Sequence, residues 1–250
     1  MTDYLSELFR NIKLDNGKKI NLLIDKGIIN YHEVLDNLLN MGSSRNLLLF
    51  AIYIEKVSTE DKIVIAKELI RRKSYYEITI IAKDVIDSLY ELFEETIISS
   101  DNAYIIYDFA FNVGNINIEK FENKIIELGN PVYIFRFALN IKGANISKLE
   151  KAIILTNNSE YISLFATRIA NANLELLEEA LSNNGNLDDF KSFLKYKNKV
   201  QKEDYNKLCN SIKNNDINDL ELNKDRYAYL FKEPSEKVKA LVRKINNLGY

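Results

Sequence analysis

Apolar residues recur through the middle of the chain at a fixed interval of 28 residues, which a repeated Phe-Ala dipeptide marks. A degenerate Ile-Ala copy lies one interval upstream. The copies are Ile81-Ala82, Phe109-Ala110, Phe137-Ala138 and Phe165-Ala166. A period of a few tens of residues indicates a stack of equivalent supersecondary units. An earlier Phe50-Ala51 lies 31 residues before Ile81 and departs from this spacing.

Within each unit the apolar positions are three or four residues apart, which is the period of an amphipathic helix. Neither half of a unit is long enough for more than about three turns. Each unit is therefore predicted to be a short helix, a turn and a second short helix. The second helices share an apolar-Glu pair, at Phe93-Glu94, Phe121-Glu122, Leu149-Glu150 and Leu177-Glu178. The pattern predicts an all-α fold, an α-solenoid of stacked short helical hairpins with irregular helical ends.

Asparagine occupies equivalent positions at the predicted turns, where its side chain can accept a bond from an uncapped backbone N–H. The first helices are predicted to follow Asn102, Asn130, Asn158 and Asn186, and the second helices Asn117, Asn145 and Asn173. Second helices are predicted to end at Gly129, Asn157 and Gly185, residue types that tolerate the left-handed conformation. Pro131 stands at the first helical position, where proline is tolerated best.

The sequence outside the regular units divides the chain into three predicted domains. Residues 1–42 are predicted to form an N-terminal helical cap of three short helices, with a capping box at Asn30-Tyr31-His32-Glu33. Residues 43–186 form the helical-repeat array, which opens with a helix pair over 44–73 that Ser58 or Thr59 caps. Residues 187–250 form a basic C-terminal segment. Its predicted helices cover about 187–197, 203–214, 225–232 and 235–247, with a break at Pro234.

The repeat resembles the helical hairpins of HEAT-like and armadillo-like proteins, with a shorter unit. The phrase that carries a closer resemblance runs through Tyr133, Phe137-Ala138, Gly143-Ala144-Asn145-Ile146, Leu149-Glu150 and Ala152-Ile153-Ile154. It is similar to repeats in uncharacterised proteins of low-GC bacteria and their phages. The resemblance covers about residues 75–186 and implies a repeat type, but it implies no active site.

The chain has 250 residues, a net charge of −2 and one cysteine, which excludes an internal disulfide. No apolar run approaches the roughly 18 uncharged residues that a membrane helix needs. The start of the chain lacks the basic and apolar regions of a signal peptide. These features predict a cytoplasmic protein with no membrane partner.

Charge is unevenly distributed along the chain. Residues 1–190 carry 20 Lys and Arg against 28 Asp and Glu, a net charge of −8. Residues 191–250 carry 14 against 8, a net charge of +6, and the two values sum to −2. Such asymmetry can mark a segment that meets an acidic partner. It also fits two halves that attract each other, or charges that are only solvated.

Candidate catalytic and metal-binding residues are few. His32 is the only histidine and is expected on the surface in the first turn of a helix, and Cys209 is expected to be a small buried residue. Phosphate-binding glycine motifs are absent from the sequence. Four glutamates share one repeat position and are expected to form a row, here called the ladder: Glu94, Glu122, Glu150 and Glu178. Their carboxylates could perform acid–base chemistry or hold a hard cation. Because each glutamate follows an apolar core residue, the role expected of the ladder is instead to bond turn amides or to pair with a cation of a neighbouring repeat copy. The sequence therefore predicts a non-enzymatic protein with no cofactor and no metal.

The repeat positions that carry different chemistry in each unit are candidates for partner recognition. Asp108, Arg136 and Leu164 share one position, and Asn112, Asn140 and Arg168 share another. Helical arrays present extended faces suited to binding other proteins. The predicted function is a protein-binding scaffold that acts through Asp108, Arg136, Asn140 and Arg168. The phage resemblance implies an inhibitor of a host or defence protein.

Nucleic-acid binding through the basic C-terminal segment is the alternative function. Cations beside aromatic residues suit a nucleic-acid strand. Tyr196, Tyr205, Tyr227 and Tyr229 interleave with the basic residues. The candidate phosphate-binding residues are Lys195, Lys197, Lys199, Lys202, Lys239, Arg243 and Lys244. The net negative charge of the chain argues against this function.

Overall fold

The computed structural model describes residues 14–184, 186–214 and 216–247, and within these ranges it contains α-helices and no β-strand. The chain divides into two compact units, and the division falls between Lys124 and Ile125. Within each unit consecutive short helices pack against their neighbours, as in an α-solenoid. The predicted all-α, solenoid-like fold class is therefore confirmed. The three domains predicted from the sequence stay a prediction.

Unit 1 is built from short helices that follow one another with brief turns. Its helices are α1 Leu14–Asp25, α2 Tyr31–Met41, α3 Ser44–Tyr53, α4 Thr59–Arg71, α5 Tyr75–Ile98, α6 Ala103–Val113 and the first part of α7 Ile118–Leu128. Two of the three helices predicted for residues 1–42 are α1 and α2, and residues 1–13 lie outside the described residues.

Capping in unit 1 follows the local sequence. Ser58 begins α4 through the reciprocal bonds of a capping box, in which the carboxylate of Asp61 accepts the Ser58 amide. The side chain of Asn30 begins α2 by accepting the amide of His32. The predicted box between Asn30 and Glu33 is therefore reduced to this single cap bond.

The repeat copy that contains Ile81-Ala82 differs from the predicted hairpin. α5 continues for 24 residues, with non-helical dihedrals at Val85 and Leu89 in place of a turn. The three later copies of the repeat carry Gly114-Asn115, Gly143 and Asn171 between their two helices. The Ile81-Ala82 copy has no glycine or asparagine there, so the chain kinks without leaving the helix. The predicted turn was wrong at this place.

Unit 2 contains the remaining helices. They are α8 Pro131–Asn140, α9 Ile146–Leu155, α10 Ser159–Arg168, α11 Leu174–Asn184, α12 Leu187–Lys213, α13 Ile217–Leu222, α14 Lys224–Tyr229 and α15 Glu236–Asn247. α8 pairs with α9 and α10 with α11, while α8, α10 and α12 lie side by side. α15 packs on both α11 and α12. It thus takes the position that the second helix of one further hairpin would occupy.

The Phe-Ala dipeptides of the repeat lie in the hydrophobic core. The side chains of Phe50, Phe109, Phe137 and Phe165 are fully buried, and the following alanines are also buried. In unit 1 the ring of Phe109 contacts those of Phe93 and Phe121, with centroids 6.3 and 5.8 Å apart. Apolar burial stabilises by about 25 cal/mol per Å². Within each of the two compact units the repeat period therefore corresponds to the packing of neighbouring hairpins.

Asparagine caps lie where the repeat predicts them. The side chains of Asn130, Asn145, Asn158, Asn173 and Asn186 accept bonds from amides in the first turns of the helices that follow. Gly129 and Asn157 follow second helices with positive φ values of 63° and 52°. Gly185, the third predicted helix stop, lies outside the described residues. Pro131 begins α8 as predicted.

The C-terminal segment contains one long helix where the sequence predicts two. α12 spans 27 residues and continues through the predicted break at about 198–202. α13 was not predicted, while the break at Pro234 before α15 is confirmed. Cys209 is exposed on α12, so its expected burial is wrong. No helix in the described part of the chain is long and apolar enough to cross a membrane.

Candidate functional site

The four ladder glutamates are all buried, with no more than 6% of each residue exposed. A buried carboxylate is costly unless it is hydrogen-bonded or paired with a cation. The partners of these carboxylates therefore decide whether the ladder serves structure or chemistry. Each glutamate follows a core residue on a second helix, as the sequence predicts.

Glu94 and Glu150 bind the turns that lead to the next second helices. An oxygen of Glu150 accepts the backbone amide of Asn173 at 2.6 Å, and Glu94 accepts the amide of Asn117 at 2.7 Å. The second oxygen of Glu94 lies 3.6 Å from the ammonium of Lys120. Burial and a hydrogen bond to Glu94 raise the pKa of Tyr90 to about 12. These contacts confirm the structural role predicted for the ladder at these two positions.

Glu178 forms the last position of the ladder and has different partners. The ammonium of Lys197 on α12 lies 2.6 Å from one carboxylate oxygen, and the hydroxyl of Tyr229 donates to the other at 3.2 Å. The same ammonium lies 5.1 Å from the Tyr229 ring centroid. Burial, with the charge of Glu178, raises the pKa of Tyr229 well above its ordinary value. Glu178 thus ties α11 to both α12 and α14.

The ladder does not assemble a metal centre within the described residues, where no group of three or more His, Cys, Asp or Glu side chains converges. His32 is exposed, as predicted, and its ring makes an edge-on contact with the ring of Tyr31, with centroids 5.1 Å apart. Cys209 is exposed on the outer side of α12. The two residues therefore lie in different units of the chain.

The predicted partner-binding residues fall in both units. Asp108 lies on α6 in unit 1, half-buried, and the side-chain amide of Asn112 donates to its carboxylate at 3.0 Å. Arg136, Asn140 and Arg168 are exposed on α8 and α10 in unit 2. The structure therefore places these three on one pair of packed helices.

We define the α8–α10 face as Tyr133, Arg136, Leu139, Asn140 and Arg168. The guanidinium of Arg136 lies over the ring of Tyr133, 5.6 Å from its centroid. Leu139 is 47% exposed one turn further along α8. Phe135 contacts Tyr161 across the two helices, with ring centroids 6.1 Å apart. The face thus combines an Arg–Tyr stack with an exposed apolar side chain.

The predicted nucleic-acid residues have three different environments. Lys197 is buried against Glu178, so its ammonium is not at the surface. Lys239 on α15 binds Glu233 and Glu236, and these hydrogen bonds raise its pKa. The remaining members are exposed, on α12 and α15, at Lys195, Lys199, Lys202, Arg243 and Lys244.

The side of α12 that faces away from the core carries a row of lysines that the sequence interpretation did not separate from its neighbours. We call this row the α12 ridge; its members are Lys191, Lys195, Lys199, Lys202 and Lys213. All five are exposed. Recognising the row requires knowing that α12 is continuous, which the predicted break after residue 197 concealed.

No protein-family model, no curated protein and no solved structure matches this chain. The resemblance to repeats of low-GC bacteria and their phages therefore has no support beyond the residues that carry it.

Proposed function

We propose that this protein is a non-enzymatic scaffold that binds another protein through the α8–α10 face. The observation that carries the proposal is the stacking of Arg136 on Tyr133 beside the exposed Leu139. Tyrosine and arginine are enriched among the residues that dominate the binding energy of protein interfaces. An arginine held over an aromatic ring loses less side-chain freedom when a partner carboxylate binds it.

The repeat supports the proposal because the residues that form the core differ from those that face outward. The anchors Phe137, Ala138, Phe165 and Ala166 are buried in α8 and α10, so the outward side chains can vary without disturbing the core. A stable complex needs about 1,000 Å² or more of buried surface. The α8–α10 face would then form the centre of a larger contact area.

A phage-type inhibitor of a host or defence protein is the finer form of this proposal. It rests on the resemblance of the repeat phrase that begins at Tyr133. A partner that loses its own activity when this protein binds would support it. A partner that stays fully active in the complex would contradict it.

The test compares affinity purification by the wild-type chain with that by an Arg136→Ala/Leu139→Ala variant, and each purification is run from lysate with and without nuclease treatment. The proposal expects a stoichiometric protein partner that the variant loses. A Lys142→Ala/Lys151→Ala variant is the control, because both lysines are exposed in unit 2 outside the face. Equal recovery by all three proteins would remove the α8–α10 face from the interface. Recovery that nuclease abolishes would show that nucleic acid mediates the capture.

A further inference from the structure

The α12 ridge is a line of positively charged side chains on the side of α12 that faces away from the core. The buried, opposite side of the helix fixes this orientation. Successive residues of an α-helix differ by about 100°, which places all five ridge lysines within a sector of about 80°. With a rise of 1.5 Å per residue, Lys191 and Lys202 are about 16 Å apart along the axis and Lys213 lies about 16 Å further on. The ridge therefore extends over about 33 Å.

The opposite side of α12 is anchored inside unit 2. Phe190 and Phe193 are fully buried, and Lys197, Asp204 and Ser211 continue the buried side. The ammonium of Lys197 binds Glu178 and the hydroxyl of Ser211 donates to Asp219 at 2.5 Å. Because these contacts fix the rotation of the helix, the ridge cannot turn inward without breaking them.

Acidic side chains neutralise Lys232 and Lys239 of the C-terminal segment more than they neutralise Lys195, Lys199 and Lys202 of the ridge. Lys232 binds Glu175, and Lys239 binds Glu233 and Glu236. On the ridge, Glu203 lies 4.0 Å from Lys199, at the limit of an ion pair. Lys195 and Lys202 form no ion pair with any described residue. Lys195 and Lys202 thus present their positive charge at the surface of α12.

Like charges three or four residues apart on a helix repel one another and weaken it. Lys191, Lys195, Lys199 and Lys202 form such a series, with intervals of four, four and three residues. A polyanion laid along the helix would relieve this repulsion. The ridge therefore fits a ligand whose negative charges also repeat along a line.

An exposed aromatic residue adjoins the ridge. Tyr205 follows Lys202 by three residues on the same side of α12 and is 54% exposed. Nucleic-acid bases stack on exposed aromatic rings independently of sequence, beside cations that track the backbone. An acidic protein segment would match the lysines but has no bases to stack on the Tyr205 ring.

We propose that the α12 ridge binds the phosphate backbone of a single-stranded nucleic acid, with Tyr205 as a stacking platform for a base. This inference goes beyond the protein-binding function and uses different residues. Its failure would therefore leave the α8–α10 face unaffected.

The experiment measures binding of the full chain to a fluorescent 20-nucleotide oligothymidylate by anisotropy at several salt concentrations. Each neutralised phosphate of a single strand contributes about −0.7 to the slope of log K against log salt concentration. With about four contacts, affinity is expected to fall on the order of 100-fold between roughly 50 and 300 mM salt. Absence of binding at the lower salt concentration would overturn the proposal.

Two variants and a matched control assign the binding to the ridge. Lys195→Gln/Lys202→Gln should reduce the magnitude of the salt slope by about 1.4, because two phosphate contacts are lost. Tyr205→Ala should weaken binding by about 5-fold or more through lost stacking. Lys83→Gln/Lys142→Gln removes two exposed lysines elsewhere and should change neither quantity. Equal loss in the control and the ridge variant would show non-specific attraction and overturn the proposal.

Poly-L-glutamate with the same number of charges separates nucleic acid from an acidic polypeptide. The oligonucleotide is expected to bind at least 10-fold more tightly, and Tyr205→Ala is expected to narrow this difference. Equal or tighter binding of poly-L-glutamate would overturn the proposal in favour of an acidic protein partner.

Discussion

The carboxylate of Glu150 accepts the backbone amide of Asn173, 23 residues further along the chain, at 2.6 Å. Glu94 and Asn117 have the same relationship, with the same 23-residue separation, at 2.7 Å. In both pairs a glutamate on one second helix binds the residue that caps the next second helix. At these two positions the ladder therefore fixes the turn relative to the preceding second helix. This arrangement gives the buried acids a structural purpose without a ligand.

Replacing Glu150 with alanine should destabilise the protein by about 2 kcal/mol, because the backbone amide of Asn173 loses its acceptor and a buried side chain is truncated. Glu150→Gln keeps an oxygen acceptor and should cost less. Urea denaturation of the three proteins at pH 7 measures both effects. Stability of Glu150→Ala within about 0.5 kcal/mol of wild type would contradict the assigned role.

The pH dependence of the same variants gives an independent check. Burial raises the pKa of Glu150, against the opposing effect of the Asn173 amide. A raised carboxyl pKa gives a contribution to stability that is fully present below the ordinary pKa of 4.5 and is lost as pH rises through the folded-state value. Glu150→Gln removes this dependence. Its stability relative to wild type should therefore improve as pH rises from 4 to 7.

Lys197→Ala should destabilise the protein by about 3 kcal/mol, because it leaves the carboxylate of Glu178 buried without its cation. The matched control is Lys195→Ala, two residues earlier on the exposed side of α12, with an expected change below about 0.5 kcal/mol. Denaturant unfolding measures both variants. Similar small effects at the two positions would show that the buried pair adds nothing to stability.

The double variant Lys197→Met/Glu178→Gln distinguishes the ion pair from simple packing. A buried ion pair can often be replaced by uncharged residues of similar volume at little cost. The double variant should therefore be more stable than Lys197→Ala. If the loss of stability in the double variant equals the sum of the losses in Lys197→Met and Glu178→Gln alone, the two residues contribute to stability separately.

The regular part of the fold could be predicted because its signals are local. Phe137 and Ala138 fill the core slot of their hairpin, while Asn130 and Asn145 cap the two helices. Each of these roles depends on neighbouring residues or on the next copy of the unit. A periodic sequence therefore specifies its helices and turns without information from distant parts of the chain.

The continuity of α12 could not be predicted because its buried side changes from apolar to polar. The buried positions Phe190, Lys197, Asp204 and Ser211 are spaced seven residues apart, as on one helix face. Only the first is apolar, so hydrophobic periodicity disappears after Phe193. Tertiary partners satisfy two of the polar residues, Glu178 for Lys197 and Asp219 for Ser211. The α12 ridge was hidden for the same reason.

Gly129→Ala isolates the backbone contribution of a repeat turn. Gly129 has a φ of 63°, and an added Cβ would meet no atom within 4 Å. The substitution should therefore destabilise by about 1 kcal/mol through left-handed strain alone. Gly129→Asn should cost less, because asparagine tolerates this conformation and occupies the equivalent position at Asn157. Equal stability of the alanine and asparagine variants would contradict a conformational origin.

The free energy of unfolding at acidic pH should depend on Glu68 in α4. Hydrogen bonds from Arg71 and Arg72 lower the pKa of Glu68 to about 2. Arg72 in turn donates to the backbone oxygens of Leu39 and Gly42 at the end of α2. Because this pKa is lowered in the folded protein, its contribution is present above the ordinary value of 4.5 and is lost as pH falls toward 2.

Glu68→Gln should therefore destabilise the protein by about 1–2 kcal/mol at pH 7, after allowance for screening of the partly exposed pair. The difference from wild type should shrink as the pH is lowered from 5 to 3, because the unfolded wild-type chain then takes up a proton at Glu68 while folded Glu68 stays ionised until the pH approaches 2. The exposed Glu91 on α5 provides a control variant, Glu91→Gln, whose difference from wild type should change little over this range. A Glu68→Gln difference that stays constant from pH 7 to pH 3 would mean that the charge of Glu68 does not hold Arg72 against the end of α2.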